Sequence, residues 1–458
     1  MSMKSILLLS FFLLFSPIKL FAQSSFGDSM TRLMNDDIFI DGDASVVIHD
    51  LTSDERIFEY RSTKTVRPAS VMKLLTSVVA YDSLGLCYTM ETTLSKVSNE
   101  GGFNLYVKGE MDPLFGESDM IEMAASVCPG TVVDTLYADC SFCDSLYWGP
   151  GWSWDDNPYA YQPYLSPLMY CGGAVEVVVS PSVNGEPPHF SVTPKSSFYN
   201  VVNDAICGDT LRGKLTILRD WLEDSNVIRI KGNCDKEKKE RLNMYRSADF
   251  FLAALVEKLD SMGVEVRNIS FGRTPVNAEP LHFTRRLIED VIQEALIASD
   301  NLCAESLLYH VAATTSSASA SIESGCKVVK AFVNEKLGYK SGFNVADGSG
   351  LSIYNYLTAD ILMSLLQYVY SNPEIYYQIY PRLSLAGVNG TLKNRMKGTA
   401  AYKKVYAKTG TVKGVCTLAG FAHGKNGHVY AFVLLNSGNM KSTGVRRWQD
   451  KVCELLCR

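Results

Sequence analysis

Ser70 and Lys73 stand three residues apart in Ser70-Val71-Met72-Lys73. On one helical turn such a pair shares a face. A serine beside a lysine is a nucleophile beside a base, because a neutral amine can take the hydroxyl proton as the oxygen attacks a carbonyl. Two further segments follow in fixed order, Ser299-Asp300-Asn301 and Lys408-Thr409-Gly410-Thr411. Together the three supply an activated nucleophile, a proton relay and a cation suited to a carboxylate.

Each short motif is weak alone. Ser324-Gly325-Cys326-Lys327 repeats the first spacing, and Ser182-Val183-Asn184 and Ser437-Gly438-Asn439 repeat the second. Context selects Ser70. Pro68-Ala69 precedes it, and Val71, Leu74, Leu75, Val78 and Val79 recur at helical spacing. That places Ser70 at a helix start, where backbone N–H groups stabilise developing negative charge. Gly325 directly follows Ser324 and no strand-like segment leads in, so Ser324 and Lys327 read as a surface pair.

The elements that must position these residues come from a chain of 458 residues, 47% hydrophobic. That is enough for two or three domains with ample core. A net charge of −5 leaves no basic footprint, so no nucleic-acid partner is expected. Residues 1–22 read as a signal peptide: Lys4 is the charged start, 6–15 the apolar run, Pro17 the break, and Ala22 precedes Gln23. The run is short for a membrane span of ~20 residues, and no later segment reads as a span.

Export permits disulfides among the twelve cysteines. Cys207 and Cys234 flank a polar stretch and are the best candidate pair, whereas Cys303 and Cys416 fall in apolar stretches and read as buried thiols. Cys140-Ser141-Phe142-Cys143 lacks a partner pair or a thioredoxin-like surrounding, so it reads as neither redox nor zinc centre. The six histidines do not cluster, which argues against a metallopeptidase; no cofactor is expected.

Residues 44–49 and 56–60 alternate like two strands of a hairpin. Helical patterns cover 285–298, 301–312, 358–370 and 445–456. Strand patterns cover 405–407, 416–422 and 428–435. An antiparallel sheet flanked by helices follows, an α+β class. The gap from Ser70 to Ser299 is about twice the gap from Ser299 to Lys408. Structureless loops rarely exceed ~15 residues, so roughly 190 residues of inserted, folded chain separate the first two motifs. Within the insertion, 172–203 and 213–231 look strand-rich, and 235–241 reads as a charged, solvated break.

These motifs, with their context, resemble the D-alanyl-D-alanine carboxypeptidase/endopeptidases of the class C, low-molecular-mass penicillin-binding proteins. Ser299-Asp300-Asn301-Leu302-Cys303-Ala304-Glu305 is similar to that family's S-D-N-x-x-A-E, and Asp347-Gly348-Ser349-Gly350-Leu351-Ser352 to its D-G-S-G-L-S. Gly387-Val388-Asn389-Gly390-Thr391-Leu392 and Ala407-Lys408-Thr409-Gly410-Thr411 match the stretch around its third motif. Gly109-Glu110-Met111-Asp112-Pro113 and Gly151-Trp152-Ser153-Trp154-Asp155-Asp156 match two insert motifs, while Cys171-Gly172-Gly173 departs from the pattern.

The resemblance implies a serine β-lactamase/transpeptidase-like catalytic domain with strand-rich inserts. The expected layout is 24–88 and 285–458 for the catalytic domain, 89–165 and 239–284 for the first insert, and 166–238 for a nested one. It implies an exported, periplasmic enzyme acting on peptidoglycan stem peptides ending in D-Ala-D-Ala, with β-lactam antibiotics as covalent inhibitors. Oligomeric state is left open. Ser70 would attack the penultimate D-alanine carbonyl. Lys73 would be the base, its pKa lowered from ~10.4 by burial and by Lys408. Ser299 would relay the proton, and Asn301 would hold the substrate amide and Lys73. Lys408 would set the electrostatics, and Thr409 and Thr411, flanking Gly410, would grip the terminal carboxylate. The backbone N–H groups of Ser70 and Thr411 would form the oxyanion hole.

Asp155, with Asp156 as the weaker candidate, would face the free amine of the peptide's dibasic residue. Glu305 reads as a structural partner, Asp347-Gly348-Ser349-Gly350 as a shaping turn, and Trp152 and Trp154 as core of the insert. Gly27-Asp28-Ser29 reads as chance. Two alternatives stay open: a serine β-lactamase using the same motifs, and an inactive wall-binding or sensor protein.

Overall fold

A computed structural model describes residues 26–99, 102–315 and 319–458. The signal-peptide reading lies outside the described residues. A six-stranded antiparallel sheet organises the catalytic part, in the order Ser384–Leu385, Val405–Val412, Val415–His423, Val429–Ser437, Asp43–Asp50, Glu55–Tyr60. The expected hairpin is there: Asp43–Asp50 turns back into Glu55–Tyr60 through residues 51–54. The Asp43–Asp50 strand is buried along nearly its whole length because both faces of the sheet are covered. Val46 and Ile48 face Trp448, Val452 and Leu456 of the closing helix Ser442–Cys457. Val47 faces the opposite core, with the helices Met72–Leu84, Asn301–Ala313 and Ala359–Ser371.

Met72–Leu84 is the central helix. Every residue from Met72 to Tyr81 is buried, the polar Lys73, Thr76 and Ser77 included, because other elements cover this helix on every side. It stops at Gly85, whose φ of 83° ends the helical path. The helical reading of 285–298 needs one change: Glu279–Leu287 is a strand, and the helix starts only at Ile288. The Lys408-Thr409-Gly410-Thr411 segment lies within the Val405–Val412 strand rather than between strands.

The inserted chain forms three more sheets. A five-stranded mixed sheet runs Glu265–Phe271, Val132–Asp139, Gly102–Gly109, Thr89–Asn99, Glu279–Leu287. Helices Glu117–Ala125 and Ser247–Ser261 supply Met120, Met123, Phe250, Phe251 and Leu255 to the core around it. Two three-stranded sheets make up a unit spanning 174–243. One joins Lys238–Asn243, Ala174–Ser180 and His189–Thr193; the other joins Asn200–Asn203, Val227–Lys231 and Thr216–Arg219.

The solvated break expected at 235–241 is therefore corrected. Lys238–Asn243 is an edge strand paired to Ala174–Ser180, and it belongs with the small sheets rather than with the chain that follows. Its charges fall on exposed or half-exposed positions while Leu242 and Asn243 are buried, a common device for keeping an edge from pairing with another molecule. The cysteine pairing is corrected too. All twelve cysteines are free thiols. Cys207 and Cys234 are buried neighbours, but the Cys207 sulfur accepts from the Ser182 N–H at 3.2 Å and the Cys234 thiol is aimed at the Lys236 carbonyl at 3.6 Å.

Trp448 pins the closing helix to the sheet. It is 1% exposed, meets Phe39 edge-on at 5.2 Å and donates its indole N–H to the Leu33 carbonyl at 2.8 Å. Replacing a buried tryptophan by alanine costs about 3–5 kcal/mol. Trp448→Ala is expected to lower stability by that order, and Trp448→Phe by clearly less, both read from denaturant midpoints.

Candidate active site

The segment bearing Ser70 is a tight turn feeding a helix. Ala69 takes φ +48°, unusual for a residue with a Cβ, and Ala69–Val71 form one 3-10 turn before the helix begins at Met72. Ser70 thus stands just ahead of the helix, and Lys73 lies one turn in. Two glycines let other segments close on this turn. A Cβ on Gly350, whose φ is +82°, would sit 1.9 Å from the Ala69 carbonyl oxygen. A Cβ on Gly410 would sit 2.9 Å from the Ser70 nitrogen, so the strand carrying Lys408 passes directly beside Ser70. Thr417 on the next strand fastens the turn by donating to the Pro68 carbonyl at 2.8 Å.

Lys73 is completely buried. Its Nζ donates to Ser70 Oγ at 3.0 Å, Asn301 Oδ1 at 2.6 Å and the Ser349 carbonyl at 2.7 Å. Burial pulls its pKa down to about 8, and the carboxylates of Asp347, Glu305 and Asp300 resist that fall. Lys408 is equally buried, and its Nζ donates to Ser299 Oγ at 2.7 Å and to the Thr409 carbonyl at 3.0 Å. Burial, and next the charge of Lys73, drive its pKa well below the usual lysine value. Repulsion between the two ammonium groups is mutual, and at Lys408 it adds to the effect of burial. Lys73 has carboxylates around it that offset the effect.

The second motif works by division of labour. Ser299 takes φ +63° after the π-helical turn Glu294–Ala298 and presents its hydroxyl to Lys408. Asp300 caps the following helix by accepting from Cys303 N at 2.8 Å. Asn301, the first residue of that helix, turns its oxygen to Lys73 and donates from Nδ2 to the Tyr161 carbonyl at 2.6 Å. Lys73 makes its three bonds elsewhere, so Ser299 meets Lys408 rather than Lys73. Thr409 Oγ1 donates to Thr391 Oγ1 at 2.7 Å, and Thr411 is exposed at the cleft with Arg446 Nη2 3.5 Å from its hydroxyl.

Asp347 organises the floor. Its Oδ1 accepts from Gly350 N at 2.8 Å and Asn355 Nδ2 at 2.6 Å; its Oδ2 accepts from Ser352 N at 2.6 Å and Trp152 Nε1 at 2.9 Å. Glu305 accepts from the N–H groups of Gly348 at 3.1 Å and Ser349 at 2.8 Å, and burial pushes its pKa up to about 8. Trp152 packs into the core of the catalytic part rather than that of the insert, and Trp154 is 63% exposed, so both tryptophan readings are corrected. The contact of Tyr161 with Asn301 and that of Ser349 with Lys73 run through their carbonyls, which no side-chain pattern could reveal.

Ser70, Ser299, Asn301, Thr411, Asp155 and Asp156 share one cleft of about 690 Å³. Asp155 is exposed at its edge; Asp156 is half-buried, accepts from the Tyr161 hydroxyl at 2.9 Å, and burial raises its pKa. Ser324 is elsewhere. It forms a capping box with Ser321, and Lys327 pairs with Glu323 at 2.7 Å on the surface.

The chain from 29 to 456 matches the model of the D-Ala-D-Ala carboxypeptidase 3 (S13) family. It is 31% identical over 425 residues to a D-alanyl-D-alanine carboxypeptidase of Actinomadura sp. (strain R39), covering 86% of this chain and 78% of that one. It is 25% identical over 409 residues to the D-alanyl-D-alanine carboxypeptidase DacB of Haemophilus influenzae, covering 86% and 85%. The crystal structure of penicillin binding protein 4 (dacB) from Haemophilus influenzae superposes with a TM-score of 0.79 at 23% identity, covering 91% of this chain and 97% of that one. A second structure of that protein, complexed with a β-lactam, superposes at 0.74 with 22% identity and the same coverage. The motifs gathered around one cleft and the family match along nearly the whole length agree: this chain belongs to the D-Ala-D-Ala carboxypeptidase 3 (S13) family and is a serine-type hydrolase of the penicillin-binding kind.

Proposed function

We propose that this chain performs its family's D-Ala-D-Ala carboxypeptidase reaction through an acyl-enzyme on Ser70. The observation that carries the assignment is a buried amine, Lys73 Nζ, 3.0 Å from the Ser70 hydroxyl. A lysine with a pKa of about 8 is neutral in a usable minority at pH 7, and a neutral amine can accept a proton. Ser70 Oγ attacks the carbonyl carbon of the penultimate D-alanine while its proton passes to Lys73. The oxyanion forms beside the backbone N–H groups of Ser70 and Thr411. The tetrahedral intermediate collapses, the C–N bond breaks, and the proton returns from Lys73 to the leaving amine; Ser299, bonded to Lys408 at 2.7 Å, relays it once its hydroxyl turns from Lys408 towards Lys73. Terminal D-alanine departs. Water then cleaves the ester, restoring Ser70 and releasing the shortened peptide. Lys408, Thr409 and Thr411 bind the terminal carboxylate. Glu305, engaged by two backbone N–H groups, is assigned no part in activating water.

The same chemistry extends to the D-Ala linkage of a peptidoglycan cross-link, a DD-endopeptidase activity. It extends also to β-lactams, which acylate Ser70 because their strained amide presents the same carbonyl and carboxylate; the β-lactam complex of the Haemophilus protein supports this. Peptidoglycan as substrate places the enzyme outside the cytoplasm, in keeping with residues 1–22 as an export signal. Among the described residues no helix is long and apolar enough to cross a membrane. At the cleft edge, Asp155 binds a side-chain ammonium of the stem peptide.

Four outcomes test these assignments. Ser70→Ala is expected to abolish both labelling by a fluorescent penicillin and D-alanine release with circular dichroism unchanged, whereas Ser324→Ala keeps both; loss of activity in the Ser324 variant instead would reverse the choice of nucleophile. The acid limb of kcat/KM is expected to rise with pH through about 8 as Lys73 gives up its proton. Lys73→Arg should lose nearly as much acylation as Lys73→Ala, since arginine keeps its proton in proteins; an active arginine variant would leave Lys73 a purely electrostatic part. Asp155→Asn should lower kcat/KM for a peptide carrying a free side-chain amine by a few-fold to ~10³-fold, with the acetylated peptide little affected. Equal losses on both peptides would make Asp155 a purely structural residue.

A further inference from the structure

Asp155 and Asp156 sit on a single 3-10 turn, Trp154–Asp156, and both neighbours of the pair are held by the small-sheet unit. On one side the Trp154 ring lies against Trp221, with centroids 5.2 Å apart and planes 38° from parallel. On the other, Asn157 Oδ1 accepts from Arg219 Nη2 at 3.1 Å. Arg219 ends the Thr216–Arg219 strand and is 1% exposed. Its fork reaches three acceptors at once, since it also donates to the Ser225 carbonyl at 2.7 Å and to Asn243 Oδ1 at 3.0 Å. A planar guanidinium can do this and a lysine ammonium on a flexible stem cannot do it with the same geometry.

The hold continues along the chain. Asn243 N donates to the Pro158 carbonyl at 2.8 Å, Ala160 N to the Arg241 carbonyl at 3.0 Å, and Asn243 Nδ2 to the Gln162 carbonyl at 2.6 Å. Within the gripped segment, the Tyr161 carbonyl receives Asn301 Nδ2. Only the amide NH2 can donate to a carbonyl, so this bond leaves the Asn301 oxygen facing Lys73. The small sheets thus reach the cleft through fixed contacts and supply none of its reacting groups.

We propose that the 174–243 unit is a positioning clamp: Arg219 and Trp221 fix the 154–161 segment so that the Asp155 carboxylate stands ready for a primary ammonium on the substrate's side chain. The proposal rests on the reading of Asp155 given above. A carboxylate on a free loop must be ordered each time substrate binds, and that loss weakens recognition; a carboxylate already ordered avoids it. Arg219 and Trp221 are positioning residues, and their effect on the choice between amine-bearing and acetylated substrates runs through Asp155.

The test uses two peptides ending in D-Ala-D-Ala, one with a free side-chain amine and one with that amine acetylated. The exported form of the whole chain is used, with active enzyme counted by fluorescent penicillin. The readout is the ratio of the two kcat/KM values, which a general loss of stability does not move. Trp221 lies in a half-exposed surface turn, so Trp221→Ala is the variant that keeps the fold; Arg219→Lys is the second. Both are expected to lower the ratio about ten-fold, a change of about 1.4 kcal/mol. Adding Trp221→Ala to Asp155→Asn should lower it no further. An unchanged ratio in Trp221→Ala beside a lowered one in Asp155→Asn overturns the clamp alone. Additive losses in the double variant also overturn it, since Trp221 would then meet substrate itself. An unchanged ratio in Asp155→Asn overturns the Asp155 reading, and the clamp with it.

Discussion

A fully buried amine sets the terms for the catalytic part of this molecule. An isolated ammonium in a low-dielectric interior costs many kcal/mol, so a buried lysine is either solvated by protein or driven towards its neutral form. Lys73 receives both treatments. Three acceptors from three separate segments surround its Nζ, two of them 228 and 276 residues away in sequence. Asp347, Glu305 and Asp300 keep enough negative charge nearby that its pKa stops at about 8. Remove any of these segments and the amine is either stranded or drowned. The turn at Ser349, the helix beginning at Asn301 and the strand beside Ser70 are held to close tolerance for that reason.

Those tolerances explain residues that touch no substrate. Asp347 takes five hydrogen bonds from backbone and side-chain donors, and one comes from Trp152 of the inserted chain. Thr76 on the central helix donates to the Gly348 carbonyl at 2.7 Å. Gly348 itself has no room for a side chain, since a Cβ would sit 2.6 Å from the Ala304 carbonyl oxygen. A turn, two helices and an insert loop are thereby locked as one body. Preorganisation of this kind is what lets a site act electrostatically without reorganising during the reaction.

What could be read from the sequence, and what could not, follows from which atoms carry each contact. Ser70, Lys73, Ser299, Asn301 and Lys408 act through distinctive side chains at short spacings, so their grouping was visible before any fold. The Ser349 and Tyr161 carbonyls that complete the environment of Lys73 and Asn301 are backbone atoms common to every residue. Trp152 was assigned to the wrong core because an aromatic side chain announces burial without saying against which sheet. The Lys238–Asn243 strand is hidden by its own edge position, where a run of four charged residues imitates a loop. Cys207 and Cys234 are buried neighbours but free thiols, because closeness in space does not by itself make a covalent bond.

The order of strands in the catalytic sheet has a consequence for how the chain comes into being. The Asp43–Asp50 strand lies between Glu55–Tyr60 and Val429–Ser437, so an early strand is sandwiched by a near neighbour and by one of the last to be made. During synthesis the segment bearing Ser70 emerges long before the strand bearing Lys408. The three inserted sheets close within residues 89–287 and can form in the interval. The catalytic sheet cannot. Until the final strands arrive, the serine–lysine pair has no buried setting, its lysine keeps an ordinary pKa, and the hydroxyl beside it is no better a nucleophile than any other. Chain order thus holds back assembly of the serine–lysine pair until the last strands of the sheet are in place.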